Sequence, residues 1–291
     1  MFDMVSRRGF VSLSAAAAAG LGLAGCSGNK TSEPAGSDAG SVKASSKKET
    51  VELQVFAANS LEKALPEVQE LYTDQTGTTF ADTQFKASGD LVEQMKAGAT
   101  VDVLITASKG TMDDAETAEL VDTDTREDMF VNDLVIIRAE GSDTKVEAIA
   151  DVANLDGKIA IGDAKTVPAG KYANQALASV GLYTGTEGDD GEYAPELADK
   201  VALADKVGTA ASYVSTGDCV AGFVYSSDIF RYDGIEEAFV CPEDSHKPIV
   251  YPGAVADSSE HADEAKAFID FCLTNKKAQK IWAKYGFELS E

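Results

Sequence analysis

Segments that predict strands alternate with segments that predict helices along most of this chain. Residues 101–108 (VDVLITAS) are predominantly apolar, as expected of a parallel strand that is covered on both faces. Residues 158–163 (KIAIGD) predict a similar strand, and residues 167–182 predict a helix with Pro168 in its first turn. Two successive series of such units predict an α/β protein with two lobes around a cleft.

Residues 61–77 predict an amphipathic helix. Apolar side chains recur at helical spacing from Leu61 to Tyr72, and Gly77 is a typical residue just beyond a helix end. Pro66 lies inside this pattern, where a proline removes a backbone hydrogen bond and bends the helix. We therefore expect the helix to be distorted near Pro66.

The first 25 residues have the pattern of an export signal. Residues 6–11 (SRRGFV) match a twin-arginine signal, and the apolar segment that follows is too short to span a bilayer. Residues 23–26 (LAGC) resemble the processing box of a bacterial lipoprotein, which implies cleavage before Cys26 and a lipid on its thiol. We expect an exported protein that is anchored to the outer face of the cell membrane through Cys26.

Residues 26–49 predict a flexible tether. They consist mainly of Ser, Gly, Ala and Lys and contain almost no large apolar side chain. Such a segment cannot bury enough apolar surface to offset the entropy lost on ordering. The folded part of the chain is therefore expected within residues 50–291.

The chain is strongly acidic, with a formal net charge of −24. This charge excludes a nucleic-acid partner, because nucleic acids are bound by basic surfaces. It also repels small anions at long range. An anion could therefore bind only through local dipoles in a sheltered cleft.

Histidines and cysteines give little support for a metal site or a catalytic centre. His246 and His261 lie in polar segments and have no ligand partner at metal-binding spacing. Cys272 lies in an apolar helical pattern, so we expect a buried thiol. Cys219 and Cys241 could form a disulfide in an exported protein, and the sequence leaves their pairing open.

Four strand-to-helix junctions carry serine or a small or apolar residue. Each junction leaves free backbone N–H groups at the positive end of a helix dipole, and open α/β sheets bind ligands at the carboxyl ends of their strands. Serine is also an ordinary helix-capping residue, so one junction alone indicates nothing. Together the four predict a cage of hydrogen-bond donors, at Ser60, Ser88, Ala169 and Val207.

A second interpretation of Ser60 is catalytic. Ser60 and Lys63 fit the S-x-x-K spacing of a serine acylase, in which the serine is the nucleophile. That chemistry also needs a Lys-Thr-Gly strand, and the chain contains YSSD at residues 225–228 but no such strand. A serine hydrolase is therefore the weaker alternative.

Longer segments together resemble one family. The segments VFAANSLEKAL, FKASGDLVEQMKAGATVDVLITAS, GDAKTVPAGKYANQAL, GFVYSSD, PEDSHKPIVYP and AKYGF occur in the order found in the molybdate-binding proteins of ABC importers. The resemblance covers essentially all of residues 50–291, and VPAG-x-YA, VYSSD and PEDSH make it specific. The chain departs from the usual residues of that family at Thr100, Ser108 and Gly253.

This resemblance implies a two-lobed type II periplasmic binding protein that closes on a tetrahedral oxyanion in the cleft between its lobes. Ser60 and Ser88 would donate hydrogen bonds from the first lobe, through hydroxyl and backbone groups. Ala169 and Val207 would donate backbone N–H groups from the second lobe, and Tyr225 would donate its phenol. Helix-end dipoles would then hold a dianion without any Lys or Arg and without side-chain coordination of the metal.

The resemblance also implies how the chain divides between the lobes. Residues 50–133 with 250–291 would form lobe 1, and residues 134–249 would form lobe 2. The chain would therefore cross between the lobes near residues 133 and 249.

A cage of donors suits a dianion that carries no proton at neutral pH, such as molybdate, tungstate or sulfate. Monohydrogen phosphate brings its own O–H, for which the five positions supply no acidic acceptor. The resemblance favours molybdate or tungstate, no cofactor, an ABC permease dimer as partner, and a monomeric chain that is not an enzyme. The alternatives are a sulfate binder and a surface-adhesion lipoprotein with an empty cleft.

Overall fold

Strands and helices alternate along residues 50–290, which are the part of the chain that the computed structural model describes. The predicted signal (1–25), the tether (26–49) and Cys26 lie outside these residues. The α/β class predicted from the sequence is confirmed.

The strands are β1 (Glu52–Leu53), β2 (Val55–Ala58), β3 (Thr79–Phe80), β4 (Gln84–Lys86), β5 (Val103–Ile105), β6 (Glu127–Asn132), β7 (Leu134–Ala139), β8 (Ile159–Gly162), β9 (Val201–Ala204), β10 (Ala221–Tyr225), β11 (Ile235–Val240), β12 (Ile249–Val255) and β13 (Glu288–Leu289). The α-helices are α1 (Ala64–Thr76), α2 (Ser88–Lys96), α3 (Lys109–Thr117), α4 (Pro168–Ser179), α5 (Pro195–Ala198), α6 (Val207–Ser215), α7 (Ala262–Thr274) and α8 (Lys276–Lys284).

Six strands form one sheet, called here the first sheet. Its strand order is β13-β6-β12-β5-β2-β4. Strand β2 is parallel to β4 and β5, whereas β12 runs antiparallel to β5 and β6. Since β12 is formed by residues 249–255, the chain leaves this sheet after Asn132 and later returns to it.

Five strands form the second sheet, in the order β11-β7-β10-β8-β9. Strand β8 is parallel to both of its neighbours, β9 and β10, and β7 is antiparallel to β10 and β11. Every residue of β5, β8 and β10 is buried, as expected of strands covered on both faces. The parallel strands bring several carboxyl ends to one edge of each sheet.

Helix α1 begins three residues later than the sequence pattern predicts. Residues 59–61 form a short 3-10 turn, and α1 starts at Ala64. Pro66 therefore lies in the first turn of the helix, where a backbone N–H has no acceptor within the helix in any case. The prediction that the helix is distorted at Pro66 is therefore wrong. The predicted helix end at Gly77 (φ +81°) is confirmed.

The three cysteines within residues 50–290 are free thiols. Cys272 is fully buried, as expected, and Cys219 and Cys241 are buried without forming a disulfide. Burial raises the pKa of the Cys241 thiol to about 12, so this group stays protonated near neutral pH.

The C-terminal helix α8 covers one end of the first sheet. The Trp282 side chain is fully buried, and its ring centroid lies 4.4 Å from that of Phe130 and 6.1 Å from that of Phe287. This aromatic contact fixes the last helix to β6, which carries Phe130. In the part of the chain from residue 50 to 290, no helix combines the length and hydrophobicity that crossing a bilayer requires.

Candidate functional site

One small cavity lies where the carboxyl ends of strands from the two sheets meet. It is small: the space open to the centre of a water molecule is about 10 Å³, so a bulky solute does not fit. The structure brings all five residues predicted from the sequence to the wall of this cavity. They are Ser60, Ser88, Ala169, Val207 and Tyr225.

Ser60 lies two residues after the end of strand β2, in the 3-10 turn that precedes α1. Its side chain is buried, and within the described residues its hydroxyl oxygen has no hydrogen-bond partner. Ser60 therefore does not cap a helix, which was the ordinary interpretation of this residue. Lys63, its partner in the catalytic interpretation, is exposed and does not line the cavity.

Ser88 is the first residue of α2 and follows strand β4. Its hydroxyl oxygen accepts a hydrogen bond from the backbone N–H of Ala107 at 3.0 Å. A hydroxyl group that accepts one hydrogen bond can still donate its hydrogen. The Ala107 contact thus orients the hydroxyl and leaves its hydrogen available to a ligand in the cavity.

Ala169 and Val207 contribute backbone rather than side-chain groups. Ala169 is the second residue of α4 and Val207 the first of α6, positions at which a backbone N–H has no acceptor within its own helix. The residue that precedes either helix makes no side-chain cap, and the same holds for α2. Three helix N-termini therefore present partial positive charge to the same cavity.

Tyr225 is the last residue of strand β10. Its phenolic oxygen is buried and, although the Tyr251 hydroxyl lies close to it, has no hydrogen-bond partner of normal geometry among residues 50–290. Burial raises the pKa of the Tyr225 phenol well above its ordinary value, so the group remains protonated and able to donate. A buried donor without an acceptor is costly, and a bound anion would supply that acceptor.

Two cations lie near the cavity, although the sequence led us to expect none. Lys86 is at the end of β4 and lines the cavity, and its ammonium group donates to Gln94 Oε1 at 2.9 Å. The buried guanidinium of Arg231 donates to the backbone carbonyl of Asn59. Lys86 directly precedes the Ser88 junction, so its position could have been noticed, whereas no sequence pattern brings Arg231 to Asn59.

The chemistry of the cavity wall is that of an anion site. The lining residues include two serines, a tyrosine, an asparagine and a lysine beside small apolar residues, and no Asp or Glu lines it in the described part of the chain. Groups of this kind donate hydrogen bonds and complement negative charge. The arrangement can hold a small anion that accepts hydrogen bonds from several directions.

Comparison with known proteins gives one family and several close relatives. The family model described as bacterial extracellular solute-binding protein matches residues 53–288. The molybdate-binding protein ModA of Escherichia coli is 33% identical over 242 residues, which are 81% of this chain and 89% of that protein. YvgL of Bacillus subtilis is named as a proposed ABC transporter substrate-binding lipoprotein. It is 31% identical over 278 residues, which are 94% of this chain and 95% of the length of YvgL.

A solved structure agrees with these relatives. It is the substrate-binding domain of a proposed molybdenum ABC transporter from Clostridium difficile, which is 33% identical to this chain. The match has a TM-score of 0.62 and covers 83% of this chain and 100% of that domain. The likeness thus extends over most of this chain.

Proposed function

We propose that this chain, which belongs to the family of bacterial extracellular solute-binding proteins, captures molybdate outside the cell and delivers it to an ABC importer. The observation that carries the proposal is the cavity wall, where donors from both sheets meet and no carboxylate of residues 50–290 is present. The relatives named as molybdate-binding proteins support the choice of ligand.

Molybdate would be held by hydrogen bonds rather than by coordination of its metal. Ser60 and Ser88 would each donate through hydroxyl and backbone groups, Ala169 and Val207 through backbone N–H groups, and Tyr225 through its phenol. Hydrogen bonds to a charged acceptor are about twice as strong as neutral ones, and exclusion of water strengthens them further. A dianion without a proton matches this wall, whereas monohydrogen phosphate would need an acceptor for its own O–H.

Tungstate would bind in the same way, because it is a tetrahedral dianion of the same charge and nearly the same size. Sulfate has the same charge but is smaller, so its oxygens would reach fewer of the fixed donors at once. We therefore expect the order of affinity to be molybdate and tungstate, then sulfate, then phosphate.

The ligand would enter and leave by relative movement of two lobes. Lobe 1 would comprise residues 50–133 and 250–291, and lobe 2 residues 134–249. Support comes from the strands, since β2, β4, β5, β6, β12 and β13 share one sheet and β7–β11 the other. Closure would bring Ser60 and Ser88 against Ala169, Val207 and Tyr225 and remove water from the anion.

Export and anchoring complete the proposal. Residues 1–25 would direct export by the twin-arginine route, and a lipid on Cys26 would anchor the chain, with residues 26–49 as the tether. The relative YvgL, named as a lipoprotein, supports this arrangement. A monomeric chain would then present both closed lobes to a permease dimer and carry out no catalysis of its own.

The test is thermal unfolding of the protein in separate solutions of molybdate, tungstate, sulfate and phosphate. A ligand that binds only the folded state, at about a hundred times its Kd, adds roughly 2.7 kcal/mol to the free energy of unfolding. We expect a rise in Tm with molybdate and tungstate alone. An equal rise with sulfate would show an oxyanion site without this selectivity, and no rise with any of the four would refute the proposal.

A further inference from the structure

A set of polar contacts joins the two sheets beside the cavity. The backbone N–H of Gly208, in α6, donates to Asn59 Oδ1 at 3.1 Å, and this hydrogen bond is buried. Asn59 Nδ2 in turn donates to Glu62 Oε2 at 2.7 Å. Residues 59 and 62 follow strand β2 of the first sheet, whereas Gly208 follows strand β9 of the second.

Tyr232 and Arg231 extend these contacts. The Tyr232 hydroxyl donates to Glu62 Oε1 at 2.9 Å and accepts from Arg231 Nη2 at 2.7 Å. Arg231 also donates to the carbonyl of Asn59 and pairs with Asp228 at 3.0 Å. The clasp is defined here as five residues, Asn59, Glu62, Gly208, Arg231 and Tyr232.

The clasp is attached directly to the cavity wall. Asn59 precedes Ser60 in the chain and Gly208 follows Val207, so one hydrogen bond joins the neighbours of two wall residues from opposite sheets. Beyond Ser88, the backbone N–H of Gly89 donates to the carbonyl of Thr166 at 3.1 Å. The sheets are thus held in contact at two points around the cavity.

We propose that the clasp fixes the separation of Ser60 and Val207 in the closed protein and thereby sets how slowly the bound oxyanion leaves. Asn59, Arg231 and Tyr232 are positioning residues in this account, since they act through the donors beside them. The inference rests on the proposed function, because the leaving ligand is the oxyanion of that site.

Burial gives the clasp its effect on release. The side chains of Arg231 and Asp228 are 1% and 0% exposed, so separation of the sheets must bring water to charged groups that now bond to protein. Breaking a buried hydrogen bond to a charged group carries a larger penalty than breaking a neutral one. Burial also raises the pKa of the Tyr232 phenol, which keeps its hydrogen for Glu62.

The experiment compares Tyr232→Phe with Tyr193→Phe by stopped-flow measurement of molybdate release. Tyr232→Phe removes two hydrogen bonds of the clasp and keeps the ring. The control removes the hydrogen bond from the Tyr193 hydroxyl to Asn174 Oδ1 (2.9 Å), which lies on one side of the cleft. We expect release about tenfold faster for Tyr232→Phe, with an association rate within about threefold of the wild type.

A double-mutant cycle tests whether the clasp acts as a unit. Glu62→Ala removes, from the first-sheet side of the cleft, the carboxylate that accepts hydrogen bonds from Tyr232 and from Asn59. We expect Glu62→Ala to speed release about tenfold and the double variant with Tyr232→Phe to release no faster than about twofold beyond either single variant. Fully additive effects, or release from Tyr232→Phe at the rate of the control, would overturn the inference.

Hydrogen exchange separates failure of the clasp from failure of the proposed function. If the wild type does not bind molybdate, the proposed function fails and the Gly208 amide is followed in the protein alone. Faster exchange of this amide in Tyr232→Phe than in Tyr193→Phe would still support the clasp. Equal exchange in the two variants would overturn it.

Discussion

Two serines at strand ends of the first sheet differ from a third in what their hydroxyl groups do. Ser108 follows strand β5, and its hydroxyl oxygen accepts the backbone N–H of Thr111 at 3.1 Å as the cap of helix α3. Ser60 follows β2 and its hydroxyl has no partner within residues 50–290, and Ser88 follows β4 and receives the N–H of Ala107. Only Ser60 and Ser88 line the cavity.

The difference between Ser108 and the other two serines indicates which helix N-termini are available to a ligand. At α3 the Ser108 hydroxyl accepts a backbone N–H of the first turn of its own helix, so this N–H needs no acceptor from another molecule. At α2, α4 and α6 the residue before the helix supplies no such cap, and Ser88, Ala169 and Val207 at these three helix starts line one small cavity. The starts of three helices and the hydroxyl groups of three side chains, those of Ser60, Ser88 and Tyr225, are the donors of the proposed oxyanion site.

The largest effect is expected for the double variant Ser60→Ala/Ser88→Ala. Each hydroxyl hydrogen bond to an anion contributes about 1.5–3 kcal/mol, so molybdate affinity should fall at least about a hundredfold. Isothermal titration calorimetry gives the affinity, and the Tm of the ligand-free variant shows that the fold is intact. A loss below tenfold with an intact fold would remove these hydroxyls from the binding site.

A second comparison uses two glycines that each occupy the second position of a helix. At Gly208 in α6, an alanine Cβ would overlap the Tyr232 hydroxyl and lie 2.8 Å from Asn59 Oδ1, whereas at Gly110 in α3 it would meet nothing within 4 Å. Overpacking of this kind costs about 1–3 kcal/mol. Because the overlap arises where the two sheets meet, we expect Gly208→Ala to weaken molybdate binding by that amount. Gly110→Ala should leave the affinity unchanged and slightly stabilise the fold, since alanine favours helix. Equal affinities for the two variants would show that closure does not need the bare backbone at Gly208.

Tyr225→Phe should weaken binding and leave the ligand-free protein no less stable. The variant loses one donor to the anion, about 1.5 kcal/mol or roughly tenfold in Kd. It also removes a buried hydroxyl that has no partner in the described residues, so the free energy of unfolding should stay the same or rise. Titration calorimetry and denaturant unfolding measure the two effects. A decrease in both affinity and stability would mean that this hydroxyl already has a structural partner.

The smallest effect is expected for Ser108→Ala, and it concerns stability alone. Removal of a serine cap costs about 1 kcal/mol, which lowers Tm by about 2–4 °C in a protein of this size. Molybdate affinity should stay within experimental error of the wild type, because Ser108 does not line the cavity. A clear loss of affinity would extend the binding site to this third serine.

The sequence predicted the α/β class and the residues that meet at the cavity. The junctions at Ser60, Ser88, Ala169 and Val207 were visible as patterns, because helix N-termini at strand ends follow from local periodicity. Tyr225 came from the resemblance to a family. Their role as ligands to an oxyanion remains a prediction.

Other features depend on distant contacts and could not be predicted. The local pattern placed Leu61 in a long helix, whereas the 3-10 turn of residues 59–61 lets Asn59 face Gly208, 149 residues away. The contact of Arg231 with the Asn59 carbonyl joins residues 172 apart. Which serine caps a helix and which stays free likewise depends on how neighbouring strands are packed.

The most direct test of the proposed oxyanion site is a crystal structure of the protein grown with molybdate, with data collected above the molybdenum absorption edge. We expect one anomalous peak in the cavity, with the oxyanion oxygens at hydrogen-bond distance from Ser60 Oγ, Ser88 Oγ and Tyr225 Oη. A molybdenum peak elsewhere on the protein, with this cavity holding none, would contradict the account.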